Sequence, residues 1–208
     1  MIYNKPMTIE RLRGPELFRI RTVTKEQYTK TLEDLEKEGY TFVVAIDPVS
    51  IGQLATGEAT SKHFDYLNPS RNVWDIRPPR MEVAINPNKL RVKKSNFKST
   101  DAQIRKIRKE EASLRGKLPQ VVRNFISMRM QNASVLVQLD FKYQEKTGEV
   151  LFTNWHGRTD DQTVSGSTAN VGRSDSTSRL SVGAWVRGDG YGPLFAVSVV
   201  VLPRKFVV

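Results

Sequence analysis

The feature that most constrains the fold is a capped helix between two apolar segments near the start of the chain. Thr24 and Gln27 have the spacing of a capping box, in which each side chain accepts the other residue's backbone N–H group. Gly39 stands where a helix commonly ends in the left-handed conformation. Apolar, β-branched runs at 17–23 and 40–46 flank this helix. Residues 17–46 therefore predict a β-α-β segment.

Two helices are predicted in the centre of the chain. The first begins at Ser99 or Thr100 and extends to about residue 115, with Ile107 and Leu114 in one sector and mostly basic residues opposite. Gly116 and Pro119 end it, and the second helix is predicted over residues 120–131.

The C-terminal third is predicted to be β-structure. Residues 134–143 alternate with a period of two, a turn follows at 145–148, and 149–155 complete a hairpin. A further strand is predicted at 180–186, and residues 194–202 are apolar on both faces, which is typical of a central strand. The expected fold class is α+β, with an N-terminal β-α-β segment, two central helices and a C-terminal antiparallel β-meander.

Three segments lack sustained periodicity. Residues 1–16 are predicted to be an extended arm, and 47–80 and 156–178 are predicted to be long polar loops. No linker composition divides the chain, so residues 1–208 are predicted to form a single α+β domain.

The positive charge of the chain is concentrated between residues 77 and 129. This stretch holds 15 Lys and Arg against 4 Asp and Glu, a net charge of +11, which equals the net charge of the whole chain. Clustered charge of one sign predicts a docking surface for an acidic partner, either nucleic-acid phosphate or protein carboxylate. The predicted contact residues are Lys89, Arg91, Lys93, Lys94, Lys98, Arg105, Lys106, Arg108, Lys109, Arg115 and Lys117.

The composition excludes several classes of site. The chain has no cysteine, so disulfides, thiolate zinc sites and cysteine nucleophiles are absent. The first residues contain no apolar segment typical of a secretory signal, and the longest apolar run, 194–202, is too short to cross a bilayer. We expect a soluble protein without a membrane partner, and the sequence leaves its location otherwise open, with a virion as one candidate.

No motif indicates catalysis. His63 and His156 have no second histidine at metal-ligand spacing, and the acidic pair Asp160 and Asp161 is better explained as turn residues. The glycines at 188, 190 and 192 precede a strand, whereas a phosphate-binding loop of this kind precedes a helix. The sequence therefore predicts no catalytic residue, no metal and no cofactor, and a protein that is not an enzyme.

Two functions from different classes remain open. The first is a structural or assembly subunit of a larger complex, such as a virion or its head–tail connector, that docks on other protein subunits as a homo- or hetero-oligomer through its basic surface and long loops. The alternative is a protein that binds DNA or RNA through the basic segment 89–117. An enzyme acting on nucleic acid through His63 or His156 is a more distant third.

Overall fold

The computed structural model describes residues 22–56, 64–67, 71–175 and 179–205 and confirms the α+β fold class. The arm at 1–16, most of the strand at 17–23, and His63 lie outside the described residues. The helices are α1 (Lys25–Lys37), α2 (Ile51–Leu54), α3 (Arg71–Trp74), α4 (Thr100–Lys117), α5 (Gln120–Arg123) and α6 (Ala133–Thr147), with a 3₁₀ turn at Pro87–Lys89. The strands are β1 (Thr22–Val23), β2 (Phe42–Ile46), β3 (Phe64–Leu67), β4 (Met81–Ile85), β5 (Ser127–Met128), β6 (Trp155–Gln162), β7 (Thr168–Arg173), β8 (Leu180–Trp185), β9 (Leu194–Phe195), β10 (Val200–Val201) and β11 (Arg204–Lys205).

Within the described residues, these strands form three sheets. The first is antiparallel throughout and has the strand order β2-β4-β10-β5. The second has the order β3-β8-β7-β6-β9, in which β6, β7 and β8 are antiparallel neighbours and the two outer strands are added in parallel. The third pairs β1 with β11 in parallel. The predicted C-terminal meander is therefore present only in part.

The capped helix near the start is confirmed as α1. The Thr24 hydroxyl accepts the N–H group of Gln27 at 3.2 Å, and the Gln27 side chain accepts the N–H group of Thr24 at 3.0 Å. Gly39 has a φ of +86° and follows the helix end, as predicted. The flanking strands separate, because β1 pairs with β11 whereas β2 pairs with β4.

The predicted strand at 134–143 is wrong, because these residues belong to α6. The Asn132 side chain caps the helix by accepting the N–H group of Val135 at 3.0 Å, and Gly148 ends it with a φ of +76°. Every residue from Ala133 to Asp140 is buried, since α6 packs between the two larger sheets. Because residues 133–140 are buried on every side of the helix, Gln138 and Asp140 are buried with their apolar neighbours, and this alternation of polar and apolar residues mimicked a strand.

The second central helix is also shorter than predicted. It ends at Arg123, and the chain then enters β5, which pairs with β10. Ile126, Met128 and Met130 are buried, while the residues between them are partly exposed. This alternation is the period of a strand and explains why the helix stops.

Residues 156–178 were predicted to be a loop, but the described part of them forms β6 and β7. The two strands are joined by a tight turn in which the N–H group of Thr163 donates to the Ser167 carbonyl at 2.8 Å. Arg158 and Thr159 are completely buried, so polar residues occupy the inside of this sheet. The predicted loop at 47–80 contains α2, β3 and α3, and its residues 57–63 and 68–70 lie outside the description.

The first sheet separates two apolar clusters. Val83 and Ile85 of β4 face a cluster shared with α6 and the second sheet, whereas Ala84 faces a cluster shared with α1 and α4. Residues 194–202 reach both clusters, but the single central strand predicted there is confirmed only in part. β10 lies between β4 and β5, whereas Leu194–Phe195 form β9 at the edge of the second sheet. Among the described residues, no helix combines the length and the apolar composition needed to cross a membrane.

Candidate nucleic-acid interface

The loop before α4 is held in place by buried polar contacts. Ser95 is completely buried, and its hydroxyl accepts the N–H group of Ala196 at 2.9 Å. The Gln103 side chain of α4 donates to the carbonyls of Ser95 at 2.8 Å and Leu194 at 3.0 Å. These bonds fix the loop between the helix and the C-terminal strands. Its exposed side chains are Lys93, Lys94, Phe97 and Lys98.

Helix α4 continues this basic loop with one buried side and one cationic side. The Ser99 side chain caps the helix, accepting the N–H group of Ala102 at 3.4 Å. Ile107 and Leu114 are buried in the core cluster that α4 shares with α1, as their spacing predicted. At 100° per residue, Arg105 and Lys109 lie opposite these positions and Arg108 lies on the flank beside Arg105, and all three are exposed.

Six of the eleven predicted contact residues thus occupy one uninterrupted stretch of loop and helix. Among the described residues, none of the six forms an ion pair with an acidic side chain. Lys89 is exposed at the end of the 3₁₀ turn, and Lys106 is half-buried beside the cationic side of α4. We use the name cationic surface for Lys93, Lys94, Lys98, Arg105, Arg108 and Lys109.

The remaining three predicted residues already interact within the chain. The Arg91 guanidinium lies over the rings of Trp155 and Phe195, 5.7 and 5.4 Å from their centroids. Arg115 pairs with Glu111 at 2.8 Å, and Lys117 pairs with Glu38 at 2.8 Å, which raises the pKa of Lys117. These side chains are less available to an external anion than those of the cationic surface.

A buried arginine that the sequence did not single out joins α4 to the second sheet. Arg158 of β6 is 0% exposed and donates to the Thr100 hydroxyl at 2.6 Å and to the carbonyls of Arg187 and Asp189 at 3.2 and 2.7 Å. Burial lowers the pKa of Arg158 to about 10, so the guanidinium remains charged at neutral pH. Its hydrogen bonds go to neutral oxygens, and the positive charge therefore adds to the potential of the surface above it.

Two aromatic residues next to the cationic surface were also missed. Trp185 ends β8, and its ring stacks on Tyr191 with centroids 4.6 Å apart and an interplanar angle of 22°. Both are partly exposed, at 38% and 45%. In a strand at 180–186, position 185 lies on the face opposite Val182 and Ala184, which was the available signal for an exposed tryptophan. Arg187, between them, pairs with Asp101 of α4 at 2.7 Å.

The candidate catalytic residues that the structure describes do not assemble. His156 and Asp160 lie on β6 rather than in loops, and burial lowers the pKa of His156. Asp161 is buried, and its carboxyl accepts the N–H group of Ala133 at the start of α6 at 2.6 Å. In the part of the chain that the structure describes, no three His, Asp or Glu side chains are grouped as metal ligands.

Comparison with known proteins identifies no relative of this chain. The chain matches no family model, no curated protein and no solved structure.

Proposed function

We propose that this protein binds nucleic acid through the cationic surface. The observation that carries the proposal is the placement of six exposed Lys and Arg side chains on one fixed loop and one helix side, with no acidic partner among the described residues. Elsewhere in the chain, lysines such as Lys30, Lys37 and Lys142 pair with neighbouring carboxylates. The cationic surface is therefore the part of the described protein with the most uncompensated positive charge.

Phosphate is the partner that this arrangement favours. A nucleic-acid backbone presents negative charges at regular intervals, and a row of cations along a loop and a helix can follow it. The exposed rings of Phe97, Trp185 and Tyr191 lie beside the cations. Such rings can stack on nucleic-acid bases, whereas a contact made only of ion pairs with protein carboxylates does not require them. Arg158 strengthens the positive potential from below without requiring a surface partner.

The test is a salt titration of binding to a fluorescently labelled oligonucleotide, followed by anisotropy. If all six cations contact phosphate, the log–log slope of affinity against salt should be about −4 to −5. The Arg105→Glu/Arg108→Glu double variant should lose most of the affinity at low salt and should reduce the slope by about 1.5.

A matched control changes the net charge equally on helices that carry none of the proposed contacts. Lys25→Glu/Lys146→Glu reverses two exposed lysines, one at the start of α1 and one in the last turn of α6. We expect this variant to bind nearly as the unmodified protein does. Absence of binding at low salt by the unmodified protein, or equal losses in both double variants, would contradict the proposal.

The assembly subunit stays a prediction, and we place it second. One of its supports was a long polar loop at 156–178, but the described part of that segment folds into β6 and β7. Its docking surface would be the same basic region, facing carboxylates of another subunit. Light scattering measures this directly: a stable oligomer that binds no oligonucleotide would favour assembly over nucleic-acid binding.

A further inference from the structure

The exposed apolar side chains of the protein are concentrated beside the cationic surface. Among the described residues, six large apolar side chains are exposed, and four of them are Phe97, Trp185, Val186 and Tyr191. Phe97 is the most exposed ring, at 69%. A cluster of exposed apolar residues with a polar rim is typical of an interaction site.

These residues form one patch although they come from two distant segments. The Phe97 N–H group donates to the Tyr191 carbonyl at 3.3 Å, which joins the loop before α4 to the turn after β8. The tip of the Phe97 ring lies 2.9 Å from where a Cβ atom of Gly192 would be. Because Tyr191 also stacks on Trp185, the three aromatic residues belong to one patch. We call Phe97, Trp185 and Tyr191 the aromatic platform.

The backbone presents Phe97 outward at an energetic cost. Its φ is +52°, in the left-handed region that side chains with a Cβ atom rarely adopt, at a cost of about 1–2 kcal/mol. Bulky residues in this conformation are outliers that occur where the surroundings impose them, often at ligand sites. Here the imposed conformation leaves a large apolar ring in solvent, so folding alone does not explain it.

The platform is fixed before any ligand arrives. Gly190 lies so close to the backbone of Phe97 and Lys98 that a Cβ atom would collide with both. The carbonyl of Arg187 accepts the N–H group of Thr100 at 3.0 Å, and Arg158 binds the same carbonyl from the interior. A rigid aromatic site loses little conformational entropy on binding.

The charges around the platform specify the chemistry of its partner. Lys98 follows Phe97 directly and Lys94 lies three residues before it, whereas Arg187, between Trp185 and Tyr191, is paired with Asp101. Helix α4 starts at Thr100, and Arg105, Arg108 and Lys109 follow along it. A partner that satisfies both features must offer flat apolar faces and repeated negative charges.

We infer that the aromatic platform stacks unpaired bases and that the protein selects single-stranded over duplex nucleic acid. This inference rests on the proposed function. In a duplex, the base faces are covered by neighbouring base pairs, whereas a single strand can place its bases on protein rings while its phosphates meet cations. The platform binds bases, and the cationic surface binds the adjoining phosphates.

The experiment compares a labelled 20-nucleotide dT strand, a 20-base-pair duplex and a strand of equal length made of abasic nucleotides. Anisotropy is measured at one salt concentration for the unmodified protein and for Trp185→Ala, Tyr191→Ala and Phe97→Ala. Each alanine variant should weaken binding to the dT strand by about 5- to 150-fold, the range measured for loss of one stacked base. Binding to the abasic strand, already weaker, should not change further.

Two variants control for indirect effects. Trp185→Phe keeps a π face and should recover most of the affinity that Trp185→Ala loses. Val121→Ala shortens another exposed apolar side chain, on α5, and should leave all three affinities unchanged. Circular dichroism checks that every variant is folded.

The outcomes separate this inference from the function on which it rests. Equal binding of dT strand and duplex, with no effect of the alanine variants, would overturn the stacking site and leave nucleic-acid binding intact. Absence of binding to every ligand at low salt would instead overturn the proposed function. Self-association that Trp185→Ala abolishes, with unchanged binding to the dT strand, would assign the platform to a contact between copies and overturn the inference.

Discussion

Charged residues are used in opposite ways on the cationic surface and inside the second sheet. The six cations of the surface are exposed and form no ion pair among the described residues. In the interior, Arg173 of β7 pairs with Asp140 of α6 at 2.6 Å, with both side chains almost fully buried. A buried charge needs hydrogen-bond partners, a carboxylate for Arg173 and neutral oxygens for Arg158, whereas an exposed charge outside any ion pair is free for another molecule. Position relative to the core therefore separates charges that support folding from charges available for binding.

The largest effect is expected from breaking the interior pair. Asp140→Ala leaves the Arg173 guanidinium buried without this carboxylate, and the free energy of unfolding should fall by about 3–5 kcal/mol. Urea denaturation followed by circular dichroism measures this loss. The double variant Asp140→Leu/Arg173→Met should recover much of it, because both charges are then removed together. A loss below about 1 kcal/mol for Asp140→Ala would contradict an important role of this pair in folding.

A smaller effect is expected from Asp161, whose charge the interior disfavours. Burial, with a lesser contribution from neighbouring Asp160, raises the pKa of Asp161 to about 8, far above about 3.9 in an unfolded chain. Between these two pH values the folded protein holds a proton that the unfolded chain has lost. Stability linked to Asp161 is therefore complete below about pH 4 and is lost as the pH rises to about 8.

Asp161→Asn removes this titration and keeps an oxygen that accepts the N–H group of Ala133. The unfolding free energy of the variant relative to the unmodified protein should rise by about 1 kcal/mol or more between pH 5 and pH 8. Urea denaturation at both pH values tests this. If the difference in unfolding free energy between the variant and the unmodified protein is the same at both pH values, Asp161 is already ionised in the folded protein at pH 5.

The smallest effect on stability is expected from the cationic surface. The Arg105→Glu/Arg108→Glu variant should change the unfolding free energy by less than about 1 kcal/mol, because exposed substitutions away from caps and pairs usually have small effects. Its low-salt binding should nevertheless fall steeply. A destabilisation comparable with that of Asp140→Ala would erase the distinction between the two regions.

Local signals in the sequence were sufficient to predict a helix where it has a polar face and capping residues. The capping box of Thr24 and Gln27 fixed the start of α1, and the spacing of Ile107 and Leu114 identified the buried side of α4. For α6, the caps Asn132 and Gly148 were available in the sequence, but the polar residues at 138, 140 and 142 alternate with apolar ones, and this period of two obscured the helix.

The interior polar strands could not be predicted, because their partners are distant in the chain. Arg158 is buried only because Thr100 and the carbonyls of Arg187 and Asp189 receive its donors. The same holds for the candidate site. Its basic half is contiguous in sequence and was predicted, whereas Phe97 meets Tyr191 only in the folded protein.

The close contact of Gly190 with the backbone of Phe97 has a kinetic consequence. The turn at 188–192 and the loop before α4 are held together, so neither segment has to rearrange before a nucleic-acid strand can bind. We expect association to be limited by diffusion and charge steering, so that added salt slows it strongly. Loss of a stacking ring should instead shorten the lifetime of the complex. In stopped-flow measurements, loss of a cation should then mainly lower the association rate constant, and loss of a ring should mainly raise the dissociation rate constant.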